Sequence, residues 1–172
     1  MERWRKCNLM HLFFSQHSYA DQEKRKVLGS GYYFFDNNMA VAYTHGNKRY
    51  KRKYMIFEAV LELKSDDFLD LVGNPISMLW LQEVMKQLSP LLSEEDYKLG
   101  HFIAYLKRKD MFPFAAIRVV DNSIQPDKIK GDDKIGFRQG KANFANVNPI
   151  FILCLLKKDP NIIQSFHHKF TK

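Results

Sequence analysis

The sequence predicts an α+β protein with a mixed, mostly antiparallel sheet at its core and flanking helices. An alternating apolar run, Met55–Leu63, is typical of a half-buried strand. Two segments with helical spacing follow, and several short apolar runs come after them. This order of strand, helices and further strands favours an α+β fold. The 172 residues suit a single domain, 1–172.

Composition excludes several classes of protein. Aromatic residues make up 14% of the chain, too many for a segment that cannot collapse into a core. No apolar run approaches the roughly 20 residues of a membrane span, so we expect no membrane. Two cysteines, Cys7 and Cys154, predict neither a disulfide framework nor a zinc site. We therefore expect a cytoplasmic protein without a signal peptide or a metal.

The net charge is +8 at pH 7. Excess positive charge raises the affinity for polyanions through counterion release. Nucleic acid, an anionic membrane surface and a phosphate-rich small molecule all fit this balance, so charge alone does not choose the partner. The oligomeric state is not indicated.

The first quarter of the chain is expected to form a helix, a loop, a strand and a second helix. Apolar residues in Met1–Phe14 are loosely helical in spacing, and the polar Ser15–Lys26 predicts a surface loop or a frayed helix. The apolar, aromatic Val27–Phe35 is typical of a short strand. Asn38 is a suitable N-cap for a helix through Thr44.

The middle of the chain predicts one strand and two helices. Met55–Leu63 alternates, with apolar residues at 57, 59, 61 and 63 and glutamates at 58 and 62. Asn74 and Pro75 favour a helix start. A second helix is expected from Ser93, where three acidic residues suit the helix dipole. The inward stripes are expected at Ile76, Leu79, Trp80, Val84 and Leu88 in the first helix, and at Phe102, Ile103 and Leu106 in the second.

The last third returns to strands. The candidates are Phe114–Val120, Lys134–Phe137 and Ile150–Leu156, with Asp121–Asp133 as a polar connection. A turn is expected at Asp159-Pro160-Asn161. Cys154, inside an apolar strand, is interpreted as a buried core thiol. The adjacent His167 and His168 are interpreted as a polar tail, since two neighbouring imidazoles cannot easily share one metal ion.

The most unusual stretch is Leu28–Asn38, which places two glycines one residue apart before four aromatic residues. Glycine lets the backbone approach a ligand closely, and an aromatic ring beside it forms a flat, dry platform. A planar group such as nicotinamide or a base can stack there. The alternative is a bulged strand with core aromatics.

The residues Gly29-Ser30-Gly31-Tyr32-Tyr33-Phe34, followed by Asn37, Ala40 and Ala42, resemble the second motif of ADP-ribosyltransferase-like proteins. The pattern is closer to an uncharacterised bacterial family with a Leu-Gly-x-Gly-x-Tyr-Phe-Trp-Glu-Asn-Asp motif. Later elements of that family resemble, in the same order, Met55–Leu63, Leu69-Asp70-Leu71, Ile135–Gly140 and Ile150–Ile163. The resemblance spans roughly Val27–Phe166.

The resemblance implies an ADP-ribosyltransferase-like fold that binds NAD as substrate and transfers ADP-ribose to a protein or nucleic-acid target. Tyr33 would stack on nicotinamide, and Gln139 would stand in the catalytic place where the bacterial family has Glu. The implied cofactor-binding residues are Gly29, Gly31, Tyr32, Tyr33, Phe34, Asn37 and Arg138.

Two departures from the family pattern open an alternative. The family's first-strand motif, a His followed by Gly or a small residue, is not recognisable here. His11 precedes Leu12 and His17 precedes Ser18, so neither has the following glycine. Alignment on the Asp159-Pro160 turn puts Cys154 or a neighbouring apolar residue where the catalytic Glu would be. An amide at Gln139 cannot supply negative charge to an oxocarbenium-like ribose. The alternative is a shortened or inactive copy of the fold that binds nucleic acid or protein.

A second feature is the basic stretch His45–Tyr54, in which five of ten residues are Lys or Arg and tyrosines are interleaved. Such a stretch is typical of contacts to the phosphates of a nucleotide cofactor or a nucleic acid. The alternative is a solvated loop leading into a strand. The residues are Lys48, Arg49, Lys51, Arg52 and Lys53.

Overall fold

The computed structural model describes residues 4–14, 28, 31–36, 38–50, 54–121, 134–136, 144–146, 149–157 and 161–171. For 4–14, 49–50, 134–136 and 144–146 it describes the backbone path only.

The described elements are nine strands and three α-helices, in an α+β arrangement. The strands are β1 (Trp4–Phe14), β2 (Tyr32–Asp36), β3 (Met55–Lys64), β4 (Phe68–Asp70), β5 (Ala116–Val120), β6 (Lys134–Gly136), β7 (Phe144–Asn146), β8 (Phe151–Leu155) and β9 (Ile163–Thr171). The helices are α1 (Met39–Tyr50), α2 (Pro75–Leu88) and α3 (Leu99–Arg108), with short 3-10 turns at Ser65–Asp67, Ser89–Leu91 and Glu94–Tyr97.

Seven strands form one mixed sheet in the order β4-β5-β8-β2-β1-β3-β9. Only the β4–β5 pair is parallel, and every other neighbouring pair in this sheet is antiparallel. The remaining two, β6 and β7, form a separate antiparallel hairpin.

The link between β3 and β4 requires the sheet to curl. These strands are five positions apart in the sheet, about 24 Å if the sheet were flat. Only Ser65–Asp67 separates them in sequence, and four peptide steps span at most about 14 Å. The sheet therefore bends round until β3 approaches β4. One buried cluster lies on the inner face, with members from five strands: Phe34, Ala59, Leu61, Leu63, Phe68, Ala116, Leu153 and Leu155.

The helices cover the outer face of the sheet. Helices α2 and α3 pack over β4, β5, β8 and β2, with Phe102, Ile103 and Leu106 fully buried. Helix α1 packs farther along, where Ala42 meets Ile56 of β3 and Phe170 of β9. The side chains of β2 alternate between the faces, so Tyr33 and Phe35 point to the helices and Tyr32 and Phe34 to the inner cluster.

Several predicted elements are confirmed. Strand β3 has the predicted inner face, and β5 and β8 lie within the predicted segments. The side chains of Asn38 and Asn74 accept hydrogen bonds from the Val41 and Ile76 amides, at 3.0 and 3.1 Å, and so cap α1 and α2.

The prediction of a helix over Met1–Phe14 is wrong, because Trp4–Phe14 is a strand. It lies between β2 and β3 in the sheet. The pairing with β3 also shifts between Cys7 and Met10. Such a bulge moves the apolar positions out of a two-residue period, and the result imitates helical spacing.

Four further expectations need correction. Helix α1 continues to Tyr50, into the stretch that was expected to be a loop. In α2, Ile76 and Leu79 are 76% and 63% exposed, because the inward stripe is set by Trp80, Leu81, Val84, Met85 and Leu88. The segment after Ser93 is a 3-10 turn with a capping box, and α3 begins at Leu99. His167 and His168 lie in strand β9, which pairs with β3.

The Asp159-Pro160 turn and most of Asp121–Asp133 lie outside the described residues.

Candidate functional site

Tyr33 and Cys154 face each other across neighbouring strands. They are direct partners in the antiparallel pairing of β2 with β8, and both side chains point toward α2 and α3. The Tyr33 hydroxyl accepts a hydrogen bond from the Leu28 amide at 3.0 Å and donates one to the Cys154 sulfur. Cys154 is fully buried, as predicted, whereas Tyr33 is half-buried.

Both groups hold their protons tightly. Burial raises the pKa of the Cys154 thiol to about 12, and the Tyr33 hydroxyl only partly offsets this rise. Burial is also the main reason that the pKa of Tyr33 is raised above its ordinary value, with the neighbouring thiol as the second cause. A thiol with this pKa is neutral at pH 7, so the position carries neither a nucleophile nor a negative charge.

Gly31 lies directly against β8. A Cβ atom at this position would stand 2.5 Å from the Leu155 carbonyl oxygen and 2.6 Å from the Cys154 sulfur. Real Cβ atoms essentially never come so close to a backbone atom, so a larger residue here would force β2 and β8 apart. The glycine thus brings β2 against β8 at the position that precedes Tyr32 and Tyr33.

The other predicted cofactor residues divide into two groups. Phe34 is 1% exposed and belongs to the inner cluster, and Tyr32 packs beside it on the same face, opposite to Tyr33. The ring of Phe34 therefore has almost no accessible surface. The remaining predicted residues, Gly29, Asn37, Arg138 and Gln139, lie outside the described residues.

An ion cluster lies on the inner face. Nη2 of Arg118 is 2.6 Å from Oδ2 of Asp36, and Nη1 is 3.8 Å from Oδ1 of Asp70. The guanidinium carbon lies 4.8 Å from the centroid of the Phe151 ring. Four neighbouring strands each supply one member, because these residues belong to β4, β5, β8 and β2.

Burial sets the electrostatics of this cluster. The Asp70 side chain is 2% exposed, and its Oδ1 also accepts hydrogen bonds from the Val72 and Gly73 amides at 3.0 and 3.1 Å. Burial raises the pKa of Asp36; the nearby Asp70 raises it further, while Arg118 opposes both. Nε of Arg118 is buried and has no hydrogen-bond partner within the described parts of the chain.

The sequence analysis did not predict this cluster, although Asp36 lies within Leu28–Asn38 and Asp70 within Leu69-Asp70-Leu71. Asp36 and Asp70 stand in the two motifs that resemble the bacterial family, and no role was predicted for either. The available signal was Arg118, a charge in the middle of the apolar run Ala116-Ile117-Arg118-Val119-Val120. A charge in a buried strand requires a partner, and an acidic residue in another buried strand is the natural one.

The basic stretch lies at the end of α1 and beyond it. Lys48 is exposed on α1, and the helix backbone continues through Arg49. Lys51, Arg52 and Lys53 lie outside the described residues. The chain resumes at Tyr54, whose ring lies 5.8 Å from that of Phe170 near the end of β9. The two described ends of the stretch, Lys48 and Tyr54, thus lie on the face of the sheet that α1 covers, at the end of the sheet formed by β3 and β9.

An apolar groove of about 380 Å³ lies beside α2 and is lined by Leu71, Met78, Leu81, Gln82 and Met85. None of these side chains titrates, so the groove offers no acid, base or nucleophile. Within the described ranges, no three His, Cys, Asp or Glu residues are placed to hold a metal ion. No described helix has both the length and the apolarity to cross a membrane.

Comparisons of the chain with protein-family models, with curated proteins and with solved structures find no match. The architecture therefore assigns the protein to the α+β class only. Its mostly antiparallel sheet is curled, and helices cover the outer face of that sheet.

Proposed function

We propose that the chain is an ADP-ribosyltransferase-like protein that has lost transferase activity and binds nucleic acid through its basic surface. The observation that supports the loss of activity is the pairing of Tyr33 with Cys154. The resemblance assigns nicotinamide stacking to Tyr33 and places Cys154 or a neighbouring apolar residue at the position of the catalytic Glu. These two places are cross-strand neighbours.

The chemistry at these places does not support bond cleavage. Loss of nicotinamide leaves positive charge on the ribose, and a fixed negative charge stabilises that transition state. Cys154 is buried and neutral, and the Tyr33 hydroxyl is held by Leu28 and Cys154. On this proposal, a core side chain stands where the family has its catalytic charge.

Nucleic-acid binding is supported by charge. The net charge is +8, and five cations stand within His45–Tyr54. Acidic residues concentrate elsewhere, for example in the capped turn Glu94–Tyr97. A polyanion that contacts the basic stretch releases counterions, and this term dominates non-specific binding to nucleic acid.

NAD-dependent transfer of ADP-ribose is the second candidate. Its specific support is that Tyr33 is only half-buried, so part of its ring remains accessible next to the glycine-bearing segment. A protein or a nucleic acid would be the acceptor.

Two measurements distinguish the candidates. Calorimetry with NAD and an assay of nicotinamide release are expected to give no heat and no product. Measurable turnover that disappears in Tyr33→Ala would overturn the loss of activity and favour the second candidate.

The binding function is tested by titrating a labelled oligonucleotide at several salt concentrations. The triple change Lys51→Gln, Arg52→Gln and Lys53→Gln is expected to reduce the slope of log K against log salt by about 2, at about 0.7 per lost contact on a single strand. The matched control neutralises three cations elsewhere: Lys86→Gln, Arg108→Gln and Lys109→Gln. Equal effects of both triples, or no binding by the unaltered chain, would overturn the proposal.

A further inference from the structure

Helix α1 presents one exposed face on the side that points away from the sheet. Ala42 is fully buried on the sheet side, where it packs in the cluster that contains Ile56. Ala40, Thr44 and Lys48 follow one another at intervals of four residues on the opposite side, and all three are exposed. We call Ala40, Thr44 and Lys48 the α1 outer face.

The charge of this region suits an anionic partner. Helix α1 contains no acidic residue, and Lys48 and Arg49 stand near its C-terminal end. On strand β3 beneath the helix, Glu58 lies on the helix-covered face, but it is 8% exposed and paired with Lys169. A polyanion that approaches along α1 therefore meets Lys48 without a competing carboxylate from the helix or from Glu58.

The shape of the α1 outer face fits a groove. The side chains of Ala40 and Thr44 are short, and the Thr44 hydroxyl donates a hydrogen bond back to the Ala40 carbonyl at 2.9 Å, so the helix backbone lies close to its own surface. Helices α2 and α3 pack over the part of the sheet that ends with β2, whereas α1 packs over β3 and β9. A helix about 10–12 Å across is admitted by the major groove of B-form DNA, which is about 12 Å wide.

The same face does not fit the other forms of nucleic acid. Single-strand binding surfaces need aromatic rings on which unpaired bases stack. On α1, the ring of Tyr43 packs edge-on against Phe170 at 4.9 Å and the ring of His45 against Phe35 at 5.4 Å, and the α1 outer face itself carries no ring. Double-stranded RNA has a deep, narrow major groove that side chains cannot read.

We propose that the α1 outer face enters the major groove of double-stranded DNA. This inference rests on the proposed nucleic-acid binding and specifies both its ligand and the element that contacts it. Ala40 and Thr44 face the base edges, and Lys48 contacts a backbone phosphate at the rim of the groove.

The test uses two substitutions at equivalent positions of two helices. Ala40 in α1 and Ile76 in α2 are each the second residue after a capping asparagine, and both are exposed. Glutamate in the first turn is favoured by the helix dipole, so Ala40→Glu and Ile76→Glu are both expected to fold. Each lowers the net charge by the same amount, which makes Ile76→Glu the matched control.

Binding is measured with a labelled DNA duplex. Ala40→Glu is expected to weaken duplex binding about 10-fold, because it places a carboxylate against the negatively charged groove, and Ile76→Glu less than about 2-fold. Lys48→Gln is expected to lower the slope of log K against log salt by about 0.9, the value for one lost phosphate contact on B-form DNA. Thermal unfolding of each variant is followed in parallel.

A change in the opposite direction makes the test independent of any loss of fold. Thr44→Lys adds a cation to the α1 outer face and is expected to tighten duplex binding and to raise the salt slope by about 0.9. Gln82→Lys, on an exposed residue in the middle of α2, is its control and is expected to leave the slope unchanged.

The remaining outcomes separate this inference from the function on which it rests. Equal effects of Ala40→Glu and Ile76→Glu, or of Thr44→Lys and Gln82→Lys, overturn the groove contact and leave nucleic-acid binding intact. Tighter binding of a single strand of the same sequence, or of the corresponding RNA duplex, does the same. Absence of binding to all three nucleic acids overturns both.

Discussion

The guanidinium of Arg118 binds the carboxylate of Asp36 at 2.6 Å although their strands are not neighbours. Strand β8 lies between β5 and β2, and the guanidinium crosses it over the ring of Phe151, with 4.8 Å from the guanidinium carbon to the ring centroid. The same guanidinium also approaches Asp70 on β4. A single side chain therefore ties four strands together on the inner face of the sheet.

Arg118→Met is expected to destabilise the protein strongly. The change keeps most of the apolar stem but leaves Asp36 and Asp70 buried without their cation, and breaking a buried ion pair in this way costs about 3–5 kcal/mol. Urea unfolding followed by circular dichroism measures the loss in the free energy of unfolding.

The matched control for this prediction is Arg108→Met, on an exposed residue in the last turn of α3, where a change of about 0.5 kcal/mol is expected. Similar losses from both variants would show that the cluster does not hold the strands together. Joint replacement, with Asp36→Asn added to Arg118→Met, should recover part of the stability, because one buried charge is removed.

Gly31→Ala is expected to destabilise by about 1–3 kcal/mol, because the added methyl group meets the Leu155 carbonyl oxygen and the Cys154 sulfur. Adding Cys154→Ala removes one of these two contacts but not the backbone contact, so it should restore little. The measurement is again urea unfolding, for the single and double variants. A Gly31→Ala chain as stable as the unaltered one would mean that β2 and β8 do not approach as described.

Ionisation of Cys154 makes stability depend on alkaline pH. The folded pKa of about 12 lies above the ordinary value of 9.0, so the folded chain holds this proton more tightly than the unfolded chain. This contribution to the free energy of unfolding is complete below pH 9 and is lost as the pH rises toward 12, at no more than about 1.4 kcal/mol per pH unit.

Cys154→Ala provides the comparison for the alkaline effect, with Cys7→Ser in both chains so that only one thiol differs. The stability difference between the two chains should shift in favour of Cys154→Ala between pH 9 and 11, while any offset from the smaller side chain stays constant. A difference that does not change with pH would contradict the buried, hydrogen-bonded position of the thiol.

The sequence predicted best where neighbouring residues carry the pattern. The apolar residues of β3 that face the inner cluster recur at every second position. Asn38 and Asn74 cap helices through hydrogen bonds to amides two or three residues away. Strand β1 was mistaken for a helix because the bulge between Cys7 and Met10 interrupts its alternation. Pairings between distant segments leave no local pattern, which is why the partners of Arg118 and the pairing of β9 with β3 were not predicted.

In the candidate site, too, local features were predicted and contacts between distant segments were not. The residue pattern predicted that Cys154 is buried, and a buried thiol between apolar residues is evident from the strand alone. Its contact with Tyr33 joins residues 121 positions apart and depends on the register of β2 with β8. The rings of Phe57 and Phe166 also stack, with centroids 4.7 Å apart, and this contact likewise depends on which residues β9 places opposite β3.

The three-residue link Ser65–Asp67 has a consequence for local opening of the protein. Because it joins strands from opposite parts of the sheet order, neither strand can peel away without pulling the other. We therefore assign Leu61, Leu63 and Phe68 to one cooperative unit, whose amide protons exchange with solvent at a common free energy close to that of global unfolding. Lengthening this link with glycines would let the amides on its two sides exchange independently.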